Sequence, residues 1–319
     1  MYKTEDIIAE YGISRDELNY FIQEKEIPLV KEDEISEKYF QSVLSFIEQK
    51  DDRIKNKLKG EVASFNNNGN NISVYQDDAI AFLQKLPSNS VDVIATDPAY
   101  SGMNNKLQLG KGRIVGKYSE KGKTNGKWFS EFEDTEENYT KFLSECKRVL
   151  KKSTGHIYIM FDSYSLLSLG NIVRNYFDVK NLITWDKVNI GMGHYFRRRH
   201  EYIIFGTNGN TRKIRNRKFP DVWRFKRVHN SPYPTQKPVE VFQAMIYASS
   251  EEGYTVCDPF LGSGSSAIAA LKNNCNFYGC DILDKSIEMS TKRIKTFIQE
   301  SIDILQNKSL AVEEKVYWK

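Results

Sequence analysis

The segment 258–267 reads DPFLGSGSSA, and it decides the fold. It follows a short apolar run, contains the pattern Gly-x-Gly-x-x-Ala, and precedes a predicted helix. Glycines in such a turn let the backbone approach a ligand. Asp281 ends the next predicted strand, 17 residues after Gly264, where a carboxylate accepts hydrogen bonds from ribose hydroxyls. A glycine turn without a ligand is the alternative, but strand, loop, helix, strand and acid in this order predict a site for a nucleoside cofactor.

Around this segment, predicted strands and helices alternate. The strands are 72–75, 91–96, 156–161, 182–185, 202–205, 254–257 and 277–280, and the helices are 78–86, 136–151, 163–176, 238–250, 265–273 and 284–306. Near-continuously apolar strands that alternate with helices predict an α/β fold with a doubly wound, mostly parallel sheet. In such sheets, ligands bind beyond the carboxyl ends of the strands.

Chain position favours S-adenosylmethionine over a nicotinamide dinucleotide as the cofactor. Only 55 residues follow Gly264, whereas a dinucleotide domain that begins at its glycine turn needs several more strands after it. Most of the sheet must therefore precede the turn, which predicts a circularly permuted order. Asp258, placed before the glycines, also suits a cationic amino or sulfonium group better than a pyrophosphate.

A second motif ends a different predicted strand. The apolar run 91–96 leads into Asp97, Pro98, Ala99 and Tyr100. An exocyclic amine on a base is a poor nucleophile, because its lone pair is delocalised into the ring. The Asp97 carboxylate and the Pro98 carbonyl can accept its two N–H protons, and Tyr100 offers a face on which an extruded base stacks. A simple strand-ending turn is the alternative, since Asp-Pro is common in turns.

These motifs resemble those of the β-class amino-group DNA methyltransferases, which methylate adenine N6 or cytosine N4. The resemblance covers roughly residues 72–300. The segment 97–100 (DPAY) is similar to the family's Asp-Pro-Pro-Tyr motif, 258–264 (DPFLGSG) to its Asp-Pro-Phe-x-Gly-Ser-Gly motif, and 234–238 (PTQKP) to its Pro-Thr-Gln-Lys-Pro segment. The resemblance implies a Rossmann-like methyltransferase fold with a circularly permuted, seven-stranded sheet.

The resemblance also implies roles for individual residues. It assigns catalysis to Asp97, Pro98 and Tyr100. It assigns S-adenosylmethionine binding to Asp77, Asp97, Thr235, Gln236, Lys237, Asp258, Pro259, Phe260, Gly262, Ser263, Gly264 and Asp281. Residues 199–201 (RHE) resemble a further motif near the target base. Two positions depart from the family pattern: Ala99 replaces the second proline, and Tyr233 stands where histidine is common.

Basic residues are unevenly distributed and predict a polyanionic partner. The formal net charge is +4, yet residues 1–50 alone carry −6. The excess lies in stretches 106–127 and 197–227, where aromatic residues accompany the cations. Cations neutralise phosphates and aromatic rings stack on bases, although a solvated surface is the alternative. We therefore expect loops at about 101–134 and 207–233 to contact double-stranded DNA, with contacts assigned to Lys106, Lys111, Arg113, Arg197, Arg199, Arg212 and Arg215.

The sequence predicts a separate N-terminal module. Residues 1–64 are predicted to be helical, with 4–11 and 15–25 as a candidate helix-turn-helix. The acidity of the module argues against a DNA-reading role, and a packing or dimerisation module is the alternative. The polar stretch 65–71 is predicted to be a linker, and 72–319 the methyltransferase domain.

Composition excludes several classes of protein. No apolar run approaches the ~18 residues of a membrane helix. The first residues lack a basic segment followed by an apolar one, so no secretory signal is expected. Four cysteines without CxxC spacing indicate a reducing, cytoplasmic compartment. Four histidines without clustered ligands predict no metal site.

The sequence thus predicts a site-specific DNA methyltransferase acting on N6 of a flipped adenine. Asp97 favours adenine, because cytosine-N4 enzymes of the class, which are the leading alternative, usually carry serine there. A cytosine-C5 mechanism needs a cysteine that usually follows proline, and no cysteine follows a proline. A nicotinamide-dependent oxidoreductase and a non-catalytic DNA-binding regulator are further alternatives. The recognition sequence, a cognate restriction nuclease and the oligomeric state are left open, although the resemblance favours a homodimer.

Overall fold

The computed structural model describes most of the chain from residue 60 onward and parts of the N-terminal region. The described residues are 2–4, 15–24, 27–31, 34–36, 38–40, 42–43, 60–98, 132, 135–191, 195–209, 212–215, 217–233 and 235–306. The predictions for Tyr100, Lys106, Lys111 and Arg113 lie outside the described residues. The chain forms two compact units, Met1–Lys59 and Gly60–Lys319.

The N-terminal unit combines a helix with a small antiparallel sheet. Helix α1 is Arg15–Glu24, and strands β1 (Tyr2–Lys3), β2 (Leu29–Lys31) and β3 (Glu34–Ile35) pair in the order β1-β3-β2. Leu18 of α1 and Ile35 of β3 are fully buried in its core. The unit is mixed rather than purely helical, because strands of two or three residues leave no periodic pattern in the sequence. Helix α1 coincides with the second helix of the predicted helix-turn-helix, whereas nearly all of the first lies outside the described residues.

The second unit is built on a nine-stranded mixed sheet. Its strands are β4 (Glu61–Asn67), β5 (Asn70–Gln76), β6 (Val93–Thr96), β7 (His156–Phe161), β8 (Asp178–Asp186), β9 (His200–Thr207), β10 (Val222–Arg224), β11 (Thr255–Asp258) and β12 (Asn276–Asp281). Their order across the sheet is β10-β8-β9-β7-β6-β11-β12-β5-β4. Strands β5, β12, β11, β6 and β7 are parallel, β9 and β4 run antiparallel to their neighbours, and β10 is parallel to β8.

All seven predicted strands are present, and two further strands make nine. The prediction missed β4 because it is an edge strand of alternately half-buried and exposed residues, and β10 because it has only three residues. The stretch 65–71, predicted to be a linker, instead joins β4 to β5 as a hairpin. Asn68 and Gly69 have φ angles of 51° and 86°, as a two-residue hairpin turn requires. The boundary between the units therefore falls between residues 59 and 60.

Among the described residues, six helices cover both faces of this sheet, close to the predicted positions. They are α2 (Ala79–Lys85), α3 (Glu136–Val149), α4 (Ser163–Val173), α5 (Val239–Ser249), α6 (Ser265–Lys272) and α7 (Asp284–Gln306). Helices α2, α3 and α4 contribute to one buried cluster and α5, α6 and α7 to another, which is the layering of a doubly wound α/β protein. Within the described ranges, no helix has the length and apolar character that crossing a bilayer requires.

Helix α3 shows how the sequence builds these layers. Thr135 accepts a hydrogen bond of 3.2 Å from the N–H of Asn138 and so caps the start of the helix. Acidic residues occupy the first turn and basic residues the last, in agreement with the helix dipole. Apolar positions recur every three or four residues and are buried: Tyr139, Phe142, Leu143, Cys146 and Val149.

Four neighbouring parallel strands end at one edge of the sheet, and an acidic residue stands at each end. Strands β5, β12, β11 and β6 are closed or followed by Asp77, Asp281, Asp258 and Asp97, respectively. Because the carboxyl ends of parallel strands meet at the same edge, these acids form a row. We call this edge the carboxyl edge and the opposite one the amino edge.

Candidate active site

The two sequence motifs lie side by side at the carboxyl edge. Strands β6 and β11 are hydrogen-bonded neighbours. At their ends, Thr96 Oγ1 donates a hydrogen bond of 2.8 Å to Asp258 Oδ1. This neighbourhood is what the predicted chemistry needs, because a donor group held at the glycine turn must reach a substrate held at Asp97.

A cleft with an empty volume of about 870 Å³ opens at this edge. Nine of the residues predicted to act in catalysis or cofactor binding line the cleft: Asp77, Asp97, Thr235, Lys237, Pro259, Phe260, Gly262, Ser263 and Asp281. Four others that the structure describes do not line it: Pro98, Gln236, Asp258 and Gly264. Pro98 is buried, and Gln236 accepts a hydrogen bond of 2.6 Å from Ser231 Oγ instead.

Asp258 braces the glycine turn from inside the protein. The residue is 1% exposed. Its carboxylate accepts hydrogen bonds from Thr96 Oγ1 (2.8 Å), Ser266 Oγ (2.5 Å) and the Phe260 N–H (3.0 Å). Burial raises the pKa of Asp258 to about 7, although these donors oppose the rise. The structure thus gives this carboxylate a bracing position rather than the predicted one facing a cationic group of the cofactor.

The turn has a backbone conformation that requires glycine. Gly262 and Gly264 have φ angles of 51° and 81°, in the left-handed region. A Cβ atom at Gly264 would lie 2.9 Å from Cβ of Ser290, and one at Gly262 would lie 3.3 Å from the Tyr233 hydroxyl. The Gly262 N–H donates a hydrogen bond of 2.8 Å to Asp281 Oδ2. The turn is therefore tied to the end of β12 and closely packed on both sides.

Two other acids of the row face the cleft directly. The second oxygen of Asp281 accepts the Leu283 N–H at 3.0 Å, and burial raises the pKa of this carboxyl. Asp77 pairs with Lys85 at 2.5 Å, and its backbone N–H donates to the Asp281 carbonyl at 3.2 Å. The two carboxylates are adjacent acceptors, an arrangement that suits the hydroxyl groups of a ribose.

A half-buried arginine on α7 holds the glycine turn and was missed by the sequence analysis. Arg293 Nη1 donates to the Ser263 carbonyl at 2.5 Å and to Ser265 Oγ at 3.3 Å. Ser265 Oγ in turn donates to the Lys237 carbonyl at 2.7 Å. Burial lowers the pKa of Arg293. Nothing in the sequence distinguishes this arginine from the other basic residues of a long amphipathic helix.

A chain of alternating charges runs from the cleft to β9 and back to β8. Lys237 Nζ donates a hydrogen bond to Asp97 Oδ2 and lies 3.5 Å from Glu201 Oε2. Lys187 Nζ lies 3.0 Å from Glu201 Oε1. The side chains of Asp97 and Lys237 are 23% and 14% exposed. Lys237, predicted to contact the cofactor, therefore lies in the cleft with its ammonium group on Asp97.

The pKa values in this chain follow from burial and from the order of the charges. Burial, with the nearby Glu201 charge, raises the pKa of Asp97, and Lys237 opposes the rise. Burial by itself lowers the pKa of Lys237, but the two carboxylates on either side raise it overall. Glu201 has a lowered pKa despite its burial, because two ammonium groups face it. A lysine between two carboxylates thus stays charged and favours their ionised forms.

An aromatic wall on one side of the cleft was also missed. The ring of Phe260 meets those of Phe132 and Phe142 edge to face, with centroids 5.3 and 5.5 Å apart. Phe132 is buried and lines the cleft, although it belongs to the stretch 101–134 predicted to contact DNA. No periodic pattern marks it, because it lies outside every predicted element. Tyr233 lines the cleft as well, and burial raises the pKa of its hydroxyl.

Two of the predicted DNA contacts lie at the carboxyl edge. Strand β8 ends at Asp186 and β9 begins at His200, so the described residues of the loop between them, 187–191 and 195–199, lie beyond this edge. Arg197 is exposed. Arg199 donates two hydrogen bonds of 2.6 Å to the Asp186 carboxylate, and they lower the pKa of Asp186 to about 2. Arg199 therefore fixes the base of the loop, whereas Arg197 is presented at the surface.

Two other predicted DNA contacts lie at the amino edge. Arg212 donates to the backbone carbonyls of Thr154 and Ser249, which precede β7 and end α5. Arg215 Nη2 donates to the Ser250 carbonyl at 2.5 Å, and burial lowers the pKa of Arg212. The four residues of β6 separate the two edges by about 13 Å. The structure therefore does not bring Arg212 and Arg215 to the cleft, because backbone carbonyls at the opposite edge hold their guanidinium groups.

The chain is similar to known DNA methylases. The family model of the DNA methylases that act on N6 or N4 matches residues 91–292. The type II methyltransferase M.HhaII of Haemophilus parahaemolyticus is 30% identical over 213 residues, which cover 64% of this chain and 88% of that protein.

Two solved structures share the fold. The PvuII DNA methyltransferase, which is cytosine-N4-specific, matches with a TM-score of 0.55 and 13% identity over 76% of this chain and 95% of its own. M1.HpyAVI in complex with SAM matches with a TM-score of 0.50 and 19% identity over 70% of this chain and 99% of its own. Because the family model covers more than half of the chain and most of the residues that build the cleft, the chain belongs to the family of N6- and N4-acting DNA methylases.

Proposed function

We propose that this chain transfers a methyl group from S-adenosylmethionine to the N6 amino group of a flipped adenine in double-stranded DNA. The observation that carries the proposal is the position of Asp97. Its carboxylate lines the cleft, pairs with Lys237 and ends the strand next to the one that carries the glycine turn. Aspartate rather than serine at this position supports adenine N6 over cytosine N4.

The residues of the cleft fit S-adenosylmethionine. Asp77 and Asp281 offer adjacent acceptors for the ribose hydroxyls, and the rings of Phe260 and Phe132 offer apolar surface for the adenine. The complex of M1.HpyAVI with SAM supports this reading for a protein of similar fold. When bound, the cofactor would supply an electrophilic methyl group. The substrate nitrogen would attack the methyl carbon, the bond from carbon to sulfur would break, and one N–H proton would leave the nitrogen.

Asp97 activates the amino group by hydrogen bonding. An ionised carboxylate accepts one N–H of the amine, and the carbonyl of the buried Pro98 stays a prediction as the acceptor of the other. These contacts draw the nitrogen away from conjugation with the ring and make its lone pair available for attack. Asp97 also takes up the departing proton and passes it to solvent. Tyr100 is proposed to stack on the flipped base.

Lys237 favours the ionised form of Asp97 that this role needs. Burial would favour the neutral acid, and the adjacent ammonium group opposes that effect. Glu201 faces Lys237 from its other side and Lys187 faces Glu201. This row of alternating charges supports the proposed role of residues 199–201 near the target base, since Lys237 contacts both Glu201 and Asp97.

The DNA is proposed to lie along the carboxyl edge, with Arg197 on a backbone phosphate. Lys106, Lys111 and Arg113 stay predictions as further contacts. Arg212 and Arg215 are proposed to stabilise the amino edge rather than to bind DNA. A homodimer and a cognate restriction nuclease stay predictions, and the type II naming of M.HhaII is compatible with the latter.

Nucleoside analysis tests the proposed reaction. Genomic DNA is incubated with the protein and with S-adenosylmethionine labelled in its methyl group, then digested and separated. We expect the label in N6-methyladenine. Label in N4-methylcytosine would keep the family and overturn the adenine assignment. A protein that binds NAD but not S-adenosylmethionine in calorimetry would instead support an oxidoreductase.

A further inference from the structure

The loop 187–199 presents two aromatic side chains to solvent. Tyr195 and Phe196 are 93% and 105% exposed, which makes them the two most exposed large apolar side chains of the described residues. Folding usually buries such rings, and adjacent exposed ones mark a binding surface. Arg197 and Arg198 follow them directly and are exposed as well.

The base of this loop is firmly held. The Gly191 N–H donates a hydrogen bond of 2.7 Å to the Arg198 carbonyl, and the Lys187 N–H donates one of 2.8 Å to the Arg199 carbonyl. Two hydrogen bonds from Arg199 to Asp186 close the base. The aromatic pair therefore lies beyond a fixed base rather than on a wholly unsupported segment.

The loop lies on the same edge of the sheet as Asp97. Strand β8 is three strand spacings from β6, which is about 14 Å. Phe196 stands four residues before β9, and four extended residues span about 13 Å. The rings are thus within reach of a duplex whose extruded base enters the cleft. Glu201, the second residue of β9, already contacts Lys237.

We infer that Tyr195 and Phe196 insert into the base stack of the target duplex next to the extruded base, while Arg197 contacts a backbone phosphate. The inference rests on the proposed function, and the two rings would replace the stacking that the extruded base loses with its neighbours. Extruding a base leaves its neighbours unstacked, and inserted apolar side chains fill such gaps. Every base has a face on which an aromatic ring can stack. The exposed Arg197 and Arg198, which follow the two rings directly, favour a polyanion over a second copy of the same tip.

The test compares two duplexes after sequencing of a methylated plasmid has identified the recognition site. One duplex is fully paired, and the other carries a mismatch opposite the target adenine, so that the base is already partly unstacked. For the double variant Tyr195→Ala/Phe196→Ala, we expect methylation of the paired duplex to fall roughly 10- to 100-fold. Methylation of the mismatched duplex should fall less than about threefold, because little stacking remains to be replaced.

Two controls separate insertion from other effects. Tyr247→Ala removes an aromatic ring that is 36% exposed and lies under the Arg215 guanidinium at the amino edge. It should leave both duplexes unaffected. Arg197→Gln should weaken binding to both duplexes equally, since a phosphate contact does not depend on base pairing. Cofactor affinity should match the wild type in all three variants, and thermal unfolding should match it in the variants at residues 195–197.

Each other outcome overturns the inference. Equal losses of methylation rate on the two duplexes would mean that the rings make a contact that does not depend on base stacking. Unchanged rates on both duplexes would mean that the rings have no role in the reaction. Loss of a dimer in sedimentation would assign the loop to a second copy of the chain. DNA affinity is measured on the same duplexes. A plasmid that carries no methylated base refutes the proposed function before either duplex is made, whereas the losses of the variants on the two duplexes test the insertion alone.

Discussion

Strand β6 has an aspartate–lysine pair at each end, and the two pairs differ in their surroundings. At the amino edge, Asp92 is bound by Lys151 at 2.9 Å and by the Thr255 N–H at 2.9 Å, and its side chain is 6% exposed. At the carboxyl edge, Asp97 is bound by Lys237, is 23% exposed, and lines the cleft. The same residue types therefore form one pair whose aspartate, Asp92, is closed to solvent and one pair whose aspartate, Asp97, is open to the cleft.

The two edges follow the same rule beyond these pairs. At the amino edge, His156 hydrogen-bonds Ser249 and the Arg212 carbonyl, and burial lowers its pKa to about 4. Such a network has its polar groups bound within the protein and stabilises the fold. At the carboxyl edge, the Asp97 carboxylate, with its raised pKa, faces a cleft. An open charged group with a perturbed pKa is the combination expected of an active site.

The largest effect is expected from matched changes at the two aspartates. Asp97→Asn should lower methyl transfer by roughly 10²- to 10⁴-fold, because the amide cannot take the amine proton. Its affinity for S-adenosylmethionine should stay close to that of the wild type. Asp92→Asn should keep the reaction but lose about 1–3 kcal/mol of stability through its weakened hydrogen bonds. Single-turnover rates and thermal unfolding measure both, and a transfer defect confined to Asp92→Asn would reverse the roles of the edges.

A second comparison uses two left-handed glycines, one at each edge. Gly262 and Gly253 have φ angles of 51° and 79°, so alanine should cost each about 1–2 kcal/mol of stability. A Cβ at Gly253 meets nothing within 4 Å, whereas one at Gly262 meets the Tyr233 hydroxyl in the cleft. Calorimetry should show a loss of roughly tenfold in cofactor affinity, ~1.4 kcal/mol, for Gly262→Ala alone. Equal affinities would mean that the turn does not contact the cofactor.

The pH dependence of the reaction sharpens the comparison further. Transfer needs ionised Asp97, so the rate should fall as the pH drops through its raised pKa. Glu201 helps to raise that pKa. Glu201→Gln should therefore move the acidic limb of the kcat profile to lower pH, and Lys237→Gln should move it to higher pH.

Lys151→Gln is the control for this experiment, since it removes the corresponding cation from the amino edge. Its acidic limb should coincide with that of the wild type. A shift of the acidic limb in this variant, or shifts of the wrong sign in the Glu201 and Lys237 variants, would show that the limb does not report the ionisation of Asp97.

The smallest effect on DNA binding is expected at Arg212. Arg212→Gln should leave DNA affinity within about twofold while lowering stability by about 1–3 kcal/mol, because two backbone carbonyls lose a donor. Arg197→Gln should weaken DNA binding and reduce the slope of log affinity against log salt by about 1. A reduced slope for Arg212→Gln would restore the sequence-based expectation that this residue contacts DNA.

Much of the fold and the centre of the site could be predicted from sequence. Apolar strands alternate with helices, and the acids at positions 97, 258 and 281 each come at the end of a strand, so their common edge followed from parallel pairing alone. The hairpin at Asn68 and Gly69 was misread because an asparagine-rich stretch also looks like a linker. Strand β10 is too short to carry a pattern.

The remaining parts of the site depend on contacts between distant segments. Arg293 reaches the glycine turn across 30 positions of sequence, and Glu201 acts through Lys237. Arg293 has no local signal, and the resemblance of residues 199–201 to a motif near the target base did not predict the contact of Glu201 with Lys237. The distribution of basic residues was the least reliable predictor of DNA contacts. In the sequence, an arginine that faces solvent, such as Arg197, cannot be told from one that binds backbone carbonyls, such as Arg212.

A crystal structure with S-adenosylhomocysteine, the product of the cofactor, tests the central claim most directly. We expect ribose hydroxyls within hydrogen-bond distance of Asp77 or Asp281, and a sulfur atom that faces Asp97 across the boundary between β6 and β11. A ligand bound away from the glycine turn, or one whose sulfur faces away from Asp97, would contradict the claim that this edge aligns the methyl donor with the amine.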